Sequence, residues 1–209
     1  TLSWDPVEHA VKYRVEFVSE LSNLTVQESD YAGIIITGLE ETTLYNITVE
    51  PFAVNGVPGV KTLYPVITEA KTVEDLIIAD IEPWRMILEW TGTEKAIAYE
   101  VHVNSTEYSY ITRVRTNRAF IRQLEPGIRQ SFKVYVVTKI SRSQPVPVSG
   151  FTTLPLPDSA RVTKITHSKV MTKWNTALED WAPAFDDLYY RCVLIKDWSN
   201  ETVVNTTTT

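Results

Sequence analysis

The chain has 209 residues, of which 44% are hydrophobic and 22% charged, and its formal net charge is −6 at pH 7. This composition is typical of folded globular domains and argues against a disordered tail. The acidic balance argues against a nucleic-acid partner, because binding to phosphates requires a basic surface that displaces counterions. No stretch of the sequence is apolar for long enough to span a bilayer.

A tryptophan recurs at a nearly constant interval. Trp4, Trp90 and Trp174 are separated by 86 and 84 residues. Nine residues after each of the first two tryptophans, apolar and polar residues begin to alternate, in segments 13–17 and 99–103. Alternation with a period of two predicts half-buried β-strands. The repetition at this interval indicates an array of similar domains.

Each of the first two repeats carries a second alternating strand further along, at residues 45–49 and 132–136. Asn55-Gly56 lies between two such runs and predicts a hairpin turn. No stretch of helical length shows a period of 3.6 residues. We therefore predict an all-β fold of short strands and frequent turns, arranged as sandwiches.

The order Leu-x-Trp, Tyr-x-Val, Ile-x-x-Leu and Tyr-x-Ile-x-Val resembles that of fibronectin type III domains, which are immunoglobulin-like β-sandwiches. The resemblance implies three domains in tandem: residues 1–70, lacking strand A, residues 71–153, complete, and residues 154–209, partial. It also implies that Tyr45 forms the tyrosine corner before strand F. Phe132 stands at the equivalent position and has no hydroxyl, so the second domain should lack this hydrogen bond. We expect the natural protein to continue in both directions.

Two signals bear on the cellular compartment. Cys192 is the single cysteine, and it is either a buried free thiol on strand C or the partner of a cysteine elsewhere in a longer protein. Low cysteine content favours the cytosol. Five of the eight asparagines, however, lie in Asn-x-Thr sequons, which favours an extracellular protein with N-glycans on Asn23, Asn46, Asn104, Asn200 and Asn205.

No pattern of catalytic residues is present. The three histidines, His9, His102 and His167, fall in different repeats and lack the spacing of metal ligands. Nucleophile elbows and glycine-rich phosphate loops are also missing. We therefore predict no catalytic residues, no metal, no cofactor and no enzymatic activity for this fragment.

Basic residues concentrate in the second repeat. Between positions 111 and 142 there are eight basic residues and one acidic residue, Glu125. Alternation places some of them on the outward sides of their strands, and the resemblance to fibronectin type III domains implies that these strands share a sheet. There they are either a ligand face for a sulfated glycan or acidic protein, or ordinary solvated charges. The members of this candidate ligand face are Arg113, Arg115, Lys133, Lys139 and Arg142.

The third repeat has a long connection between its first and second strands. Trp181 and Phe185 in this connection have no counterpart in the shorter loops of the other repeats. Loops on a rigid scaffold commonly carry binding residues, so this is a candidate binding loop. The alternative is that both aromatics pack against their own sandwich or against the second domain.

The resemblance implies protein-interaction and spacer modules in the ectodomain of a single-pass receptor or adhesion protein. The expected partner is a protein ligand or co-receptor, or a sulfated glycan, with membrane attachment outside this fragment. Similar tandem arrays occur in receptor-type tyrosine phosphatases, neural adhesion molecules and Sevenless/Ros receptor kinases. Two alternatives stay open: the parent is a receptor enzyme whose catalytic domain lies elsewhere, or the array is a structural matrix spacer.

Overall fold

A computed structural model describes residues 1–20, 22–175, 189–196 and 200–207, with side chains described up to residue 175 except for Asp158. The chain divides into two compact units, Thr1–Thr153 and Leu154–Thr209. Every regular element in the described residues is a β-strand, which confirms the predicted all-β class. Within the same residues, no helix has the length and apolarity needed to cross a membrane.

The first unit begins with a sandwich of six strands. They are β1 (Leu2–Ser3), β2 (Ala10–Ser19), β3 (Thr25–Ser29), β4 (Gly33–Ile34), β5 (Leu44–Ala53) and β6 (Thr62–Ile67). β1 pairs with β4, and the other sheet has the order β3-β2-β5-β6. The inward residues of β2 and β5 form the core, as alternation predicted: Tyr13, Val15, Phe17, Tyr45, Ile47 and Val49.

A second sandwich follows in the same unit. Its strands are β7 (Glu74–Ile81), β8 (Arg85–Thr91), β9 (Ala98–Asn104), β10 (Ser109–Val114), β11 (Arg118–Arg122), β12 (Arg129–Val137) and β13 (Val146–Phe151). The sheets have the orders β11-β8-β7 and β10-β9-β12-β13. This is the arrangement E-B-A against C′-C-F-G of a fibronectin type III sandwich. Among the described residues of the first sandwich, no strand lies beside β1 as β7 lies beside β8.

The second unit contains two hairpins. β14 (Asp158–Ile165) pairs with β15 (Val170–Asn175), and β16 (Tyr189–Lys196) pairs with β17 (Asn200–Thr207). Trp174 lies on β15 and is half-buried. Cys192 lies on β16 opposite Val204, and the state of its thiol falls outside the described side chains.

The repeated tryptophan packs in the same way in both sandwiches. Trp4 meets Tyr13 and Trp90 meets Tyr99, with ring centroids 5.2 and 5.1 Å apart and an interplanar angle of 64° in each pair. An edge-to-face contact directs the positive ring edge at the negative face of its neighbour. The tryptophan therefore ties the strand before the B–C connection to the strand after it.

The hydroxyls of the same tyrosines hold the B–C connections. Tyr13 Oη accepts a hydrogen bond from Val7 N at 3.0 Å, and Tyr99 Oη accepts one from Thr93 N at 3.3 Å. A Cβ on Gly92 would collide with the Tyr99 hydroxyl. A glycine at this position therefore lets the loop approach the tyrosine closely enough for the bond.

The tyrosine corner is present where the sequence predicted it. Glu40 N donates a hydrogen bond to Tyr45 Oη at 2.9 Å, which fixes the loop before β5. In the second sandwich, Phe132 is buried and has no hydroxyl to accept such a bond. There, Thr152 Oγ1 instead accepts a bond from Ile128 N at 3.1 Å and so ties the loop to the end of the domain.

The two sandwiches of the first unit are joined without a free linker. Glu41 O accepts a hydrogen bond from Lys95 Nζ at 2.9 Å, and Glu69 Oε1 accepts one from Gln144 Nε2 at 2.7 Å. Ala70, within the connecting segment, is buried in the core of the second sandwich. The connection is therefore part of the packed structure on both sides.

Replacing Trp90 with alanine should unfold or strongly destabilise the second sandwich. The side chain is 4% exposed, and its removal leaves a cavity that costs about 3–5 kcal/mol of unfolding free energy. Urea denaturation followed by far-UV circular dichroism measures this loss. Trp84→Ala is the control, because Trp84 is 51% exposed and should change stability by less than about 0.5 kcal/mol. Equal midpoints for Trp90→Ala and wild type would contradict the assigned role of this tryptophan.

Candidate ligand face on the second sandwich

The candidate ligand face lies on the outer side of the four-stranded sheet of the second sandwich. Arg113 on β10 is paired with Glu100 on β9, and Glu100 is paired with Tyr135 on β12. Two residues further along β9, His102 is paired with Lys133. Side chains of directly opposed residues stand on the same face of a sheet. The register therefore collects these five residues on one surface.

Glu100 lies at the centre of the face and is 9% exposed. Its Oε1 accepts hydrogen bonds from two nitrogens of Arg113, with the Nε donor 2.8 Å away. Its Oε2 lies 2.7 Å from Arg142 Nη2. The Arg113 hydrogen bond, helped by the charges of Arg142 and Arg113, holds the pKa of this carboxyl below its ordinary value despite burial.

Arg142 reaches back from the F–G turn onto the same face. Its guanidinium carbon lies 3.7 Å from the centre of the Tyr135 ring, in a cation–π contact. Its Nη2 also lies 2.9 Å from His102 Nε2, and because a guanidinium only donates, the imidazole nitrogen accepts. The Tyr135 and His102 rings are 4.6 Å apart. The arginine is therefore held by a carboxylate, an imidazole and an aromatic ring together.

The five predicted basic residues consequently fall into two groups. Arg113 and Arg142 share Glu100, so much of their charge is compensated within the domain. Lys133 is exposed on the same face, and Arg115 and Lys139 are exposed just beyond the ends of β10 and β12. Within the part of the chain that the structure describes, none of these last three has an ion pair.

The predicted sequons occupy different surroundings. Asn46 on β5 and Asn104 on β9 are exposed on the outer faces of their sheets, and Asn23 is exposed before β3. Asn200 and Asn205 both lie on β17, and their side chains fall outside the described part of the structure.

Two other predictions concern the candidate binding loop and the metal ligands. Trp181 and Phe185, the candidate binding loop, lie outside the described residues. Among the residues that are described, no group of three or more His, Cys, Asp or Glu side chains could hold a metal ion. The partners of Arg113 and Arg142 were not predicted, because alternation assigns Glu100 to the outer face without revealing which basic residues it meets.

No family model matches the chain. Mouse tenascin is 27% identical over 123 residues, which are 55% of this chain and 6% of tenascin. Chicken receptor-type tyrosine-protein phosphatase eta is 31% identical over 150 residues, which are 68% of this chain and 11% of that protein. The chain thus spans only a small part of the length of these relatives.

Solved structures of similar proteins include a two-domain fibronectin type III segment of chicken tenascin. It aligns with a TM-score of 0.46 and 20% identity, over 70% of this chain and 87% of that one. The FN1–FN3 domains of chicken CNTN1 align with a TM-score of 0.38 and 14% identity, over 72% of this chain and 59% of that one.

The strand order of the second sandwich and the tyrosine corner of the first define the first unit, Thr1–Thr153, as two fibronectin type III folds in tandem. This is a non-catalytic architecture. What such an array does depends on the surfaces it presents, and the face around Glu100 is an organised polar surface.

Replacing Glu100 with glutamine should make the unfolding free energy of the second sandwich depend less on pH in the acidic range. The folded pKa is lowered from 4.5, so the stability contributed by the carboxylate is present above that value and is lost as pH falls through the folded pKa. Wild type should therefore lose unfolding free energy more steeply than Glu100→Gln between pH 6 and pH 3, measured by urea denaturation. Glu89→Gln, which removes an exposed carboxylate paired with Arg118, should keep the wild-type slope. Identical slopes for all three proteins would show that the cluster is not coupled to folding.

Proposed function

We propose that this chain is an extracellular segment of a cell-surface receptor or adhesion protein, in which the tandem domains act as interaction and spacer modules. Its similarity to tenascin and to a receptor-type phosphatase supports an extracellular location. The observation that carries the proposal is the exposure of Asn23, Asn46 and Asn104, because a sequon accepts a glycan only where the asparagine is accessible.

The partner is a protein ligand or co-receptor, and the face around Glu100 is where it binds. The Glu100 cluster fixes two arginines and a tyrosine, so a ligand meets a preorganised surface and little side-chain entropy is lost on binding. Lys133, Arg115 and Lys139 surround this cluster with uncompensated positive charge. An acidic protein surface or a sulfated glycan has the charge that complements them.

Two other functions share the same fold. The similarity to a receptor-type tyrosine phosphatase favours a parent enzyme with its catalytic domain elsewhere, for which this chain supplies ectodomain modules attached through a single membrane span. A structural spacer is the remaining alternative. A spacer requires no ligand face, so heparin binding of charge-reversal variants distinguishes it from an interaction module.

Secretion should yield a protein with glycans on the exposed sequons. After expression in a secretory host, glycosidase treatment should lower the intact mass by the mass of the glycans on Asn23, Asn46 and Asn104. Peptide mapping should locate these glycans. Asn117 serves as an internal control, because it is exposed but lies outside any sequon. An unchanged intact mass would contradict the extracellular assignment.

Reversing charge on the ligand face should weaken binding to heparin. Arg115→Glu/Lys133→Glu should elute from heparin at lower salt than wild type, because two positive charges that attract the polyanion become negative. Salt elutes the protein by screening exposed charges, over about 8 Å at physiological strength. Deglycosylated protein should show the larger effect, since Asn104 lies on the same face.

The matched control is Arg85→Glu/Arg122→Glu, a pair opposed on the other sheet, which changes net charge equally. If both double variants shift elution by the same amount, retention reflects net charge alone. If neither shifts it, the basic residues are ordinary solvated charges and the spacer function is favoured.

A further inference from the structure

The outer face of the first sandwich is divided into a charged half and an apolar half. In the charged half, ion pairs compensate the side chains: Lys61 meets Glu16 at 3.0 Å, and Lys12 meets Glu28 at 2.5 Å. In the other half, the outward residues of the same strands are apolar. We call this surface the apolar patch and define it by Val18, Leu44, Leu63, Pro65 and Ile67.

Asn46 stands at the centre of the apolar patch. The register opposes it to Val18 on β2 and to Pro65 on β6. Leu44 precedes it by two residues on the same face of β5, and Leu63 and Ile67 flank Pro65 on β6. Directly opposed residues of neighbouring strands have Cβ atoms about 4.5–5.5 Å apart, and diagonal neighbours about 7–8 Å apart. Val18 and Pro65 are therefore the nearest neighbours of Asn46, and Leu44, Leu63 and Ile67 complete the surroundings at a greater distance.

The apolar patch is open to solvent. Leu44 is 43% exposed, Leu63 is 59% exposed and Ile67 is 46% exposed. A contiguous exposed apolar surface on a soluble protein marks a contact with something else. The position of Asn46 within a sequon indicates what that is, because a sugar linked to this side chain begins within reach of every member of the patch.

We infer that the inner sugars of an N-linked glycan on Asn46 lie on the apolar patch and cover it. Pyranose rings present C–H faces that pack on apolar side chains, and the covalent link keeps the sugar at a high effective concentration over the patch. The inference rests on the proposed extracellular function, because it requires glycosylation. It adds that this glycan is a structural part of the first sandwich.

The second sandwich supplies a matched control in Asn104. This asparagine also lies on the outer face of its four-stranded sheet, but its opposed neighbours are Ser109 and Ser131. Ile111, two residues from Ser109 on the same face of β10, is 60% exposed, so a glycan on Asn104 has a smaller apolar surface to cover than one on Asn46. The two sequons differ mainly in the residues that surround them.

The test compares the secreted, glycosylated full chain with Asn46→Gln, Thr48→Ala and Asn104→Gln. Thr48→Ala removes the sequon of Asn46 and keeps the asparagine itself. Both variants of that sequon should bind more of an apolar fluorescent dye, form dimers in sedimentation velocity, and melt about 4 °C lower. Asn104→Gln should match wild type in all three measurements.

Two further samples sharpen the test. Trimming with an endoglycosidase that leaves one N-acetylglucosamine should preserve wild-type behaviour, because the first sugar makes the contact. This trimming is done on folded protein, so the result does not depend on secretion of a variant. Asn46→Gln/Leu63→Lys should return to monomer, since the lysine interrupts the exposed apolar surface.

Several outcomes would overturn the inference. Equal behaviour of Asn46→Gln and Asn104→Gln would show that the surrounding residues do not matter. Dimerisation of the wild-type glycoprotein through Leu63 would assign the apolar patch to a second copy of the chain. Occupancy of Asn104 without occupancy of Asn46 would refute this inference alone, whereas absence of glycan from every sequon would also refute the proposed function.

Discussion

In both sandwiches of the first unit, an edge-to-face contact between a tryptophan and the first tyrosine of the following strand holds the B–C corner together. Each pair joins two strands that belong to opposite sheets, so the contact fixes the separation of the sheets at one end of the sandwich. The tyrosine then uses its hydroxyl to hold the intervening loop. Trp4 and Trp90 have indole nitrogens without a hydrogen-bond partner among the described residues, which shows that ring packing, not hydrogen bonding, positions the indole. A domain with such anchors can dispense with a disulfide.

In the second sandwich, the direction in which the pKa of a buried carboxyl group shifts depends on the partners of that group. Glu100 and Glu125 are both 9% exposed, yet their pKa values are displaced in opposite directions. Hydrogen bonding to Arg113 lowers the pKa of Glu100, whereas burial and the neighbouring charge of Glu107 raise the pKa of Glu125. The first carboxylate organises the face around it. The basic run between residues 111 and 142 is consequently less positive than its composition suggests, and its free charge lies at the edges of the cluster, where Lys133 projects.

Period-two alternation was enough to predict strands β2, β5, β9 and β12 with their inward and outward faces, because alternation depends on residues close in sequence. The tyrosine corner at Tyr45 was predicted from the resemblance to fibronectin type III domains. The contacts of Arg142 could not be predicted in this way. Its partner Glu100 lies 42 residues earlier, and the two meet only because the F–G turn folds back over the sheet. The apolar surroundings of Asn46 were equally hidden, since Val18 and Pro65 come from two other strands. Register between strands is the information that a single sequence lacks.

The two sandwiches that carry these surfaces are joined by a packed connecting segment. Thr68 lies in the connecting segment, and its hydroxyl donates to Glu40 O at 2.6 Å and accepts from Thr43 N at 2.9 Å. Two residues later, Ala70 is already in the core of the second sandwich. Within the segment, Thr68 N donates a hydrogen bond to Thr43 O and Glu69 O accepts one from Thr42 N, so this backbone is engaged by the loop before β5. The proposed glycan site on Asn46 and the proposed ligand face around Glu100 therefore belong to one compact unit, Thr1–Thr153.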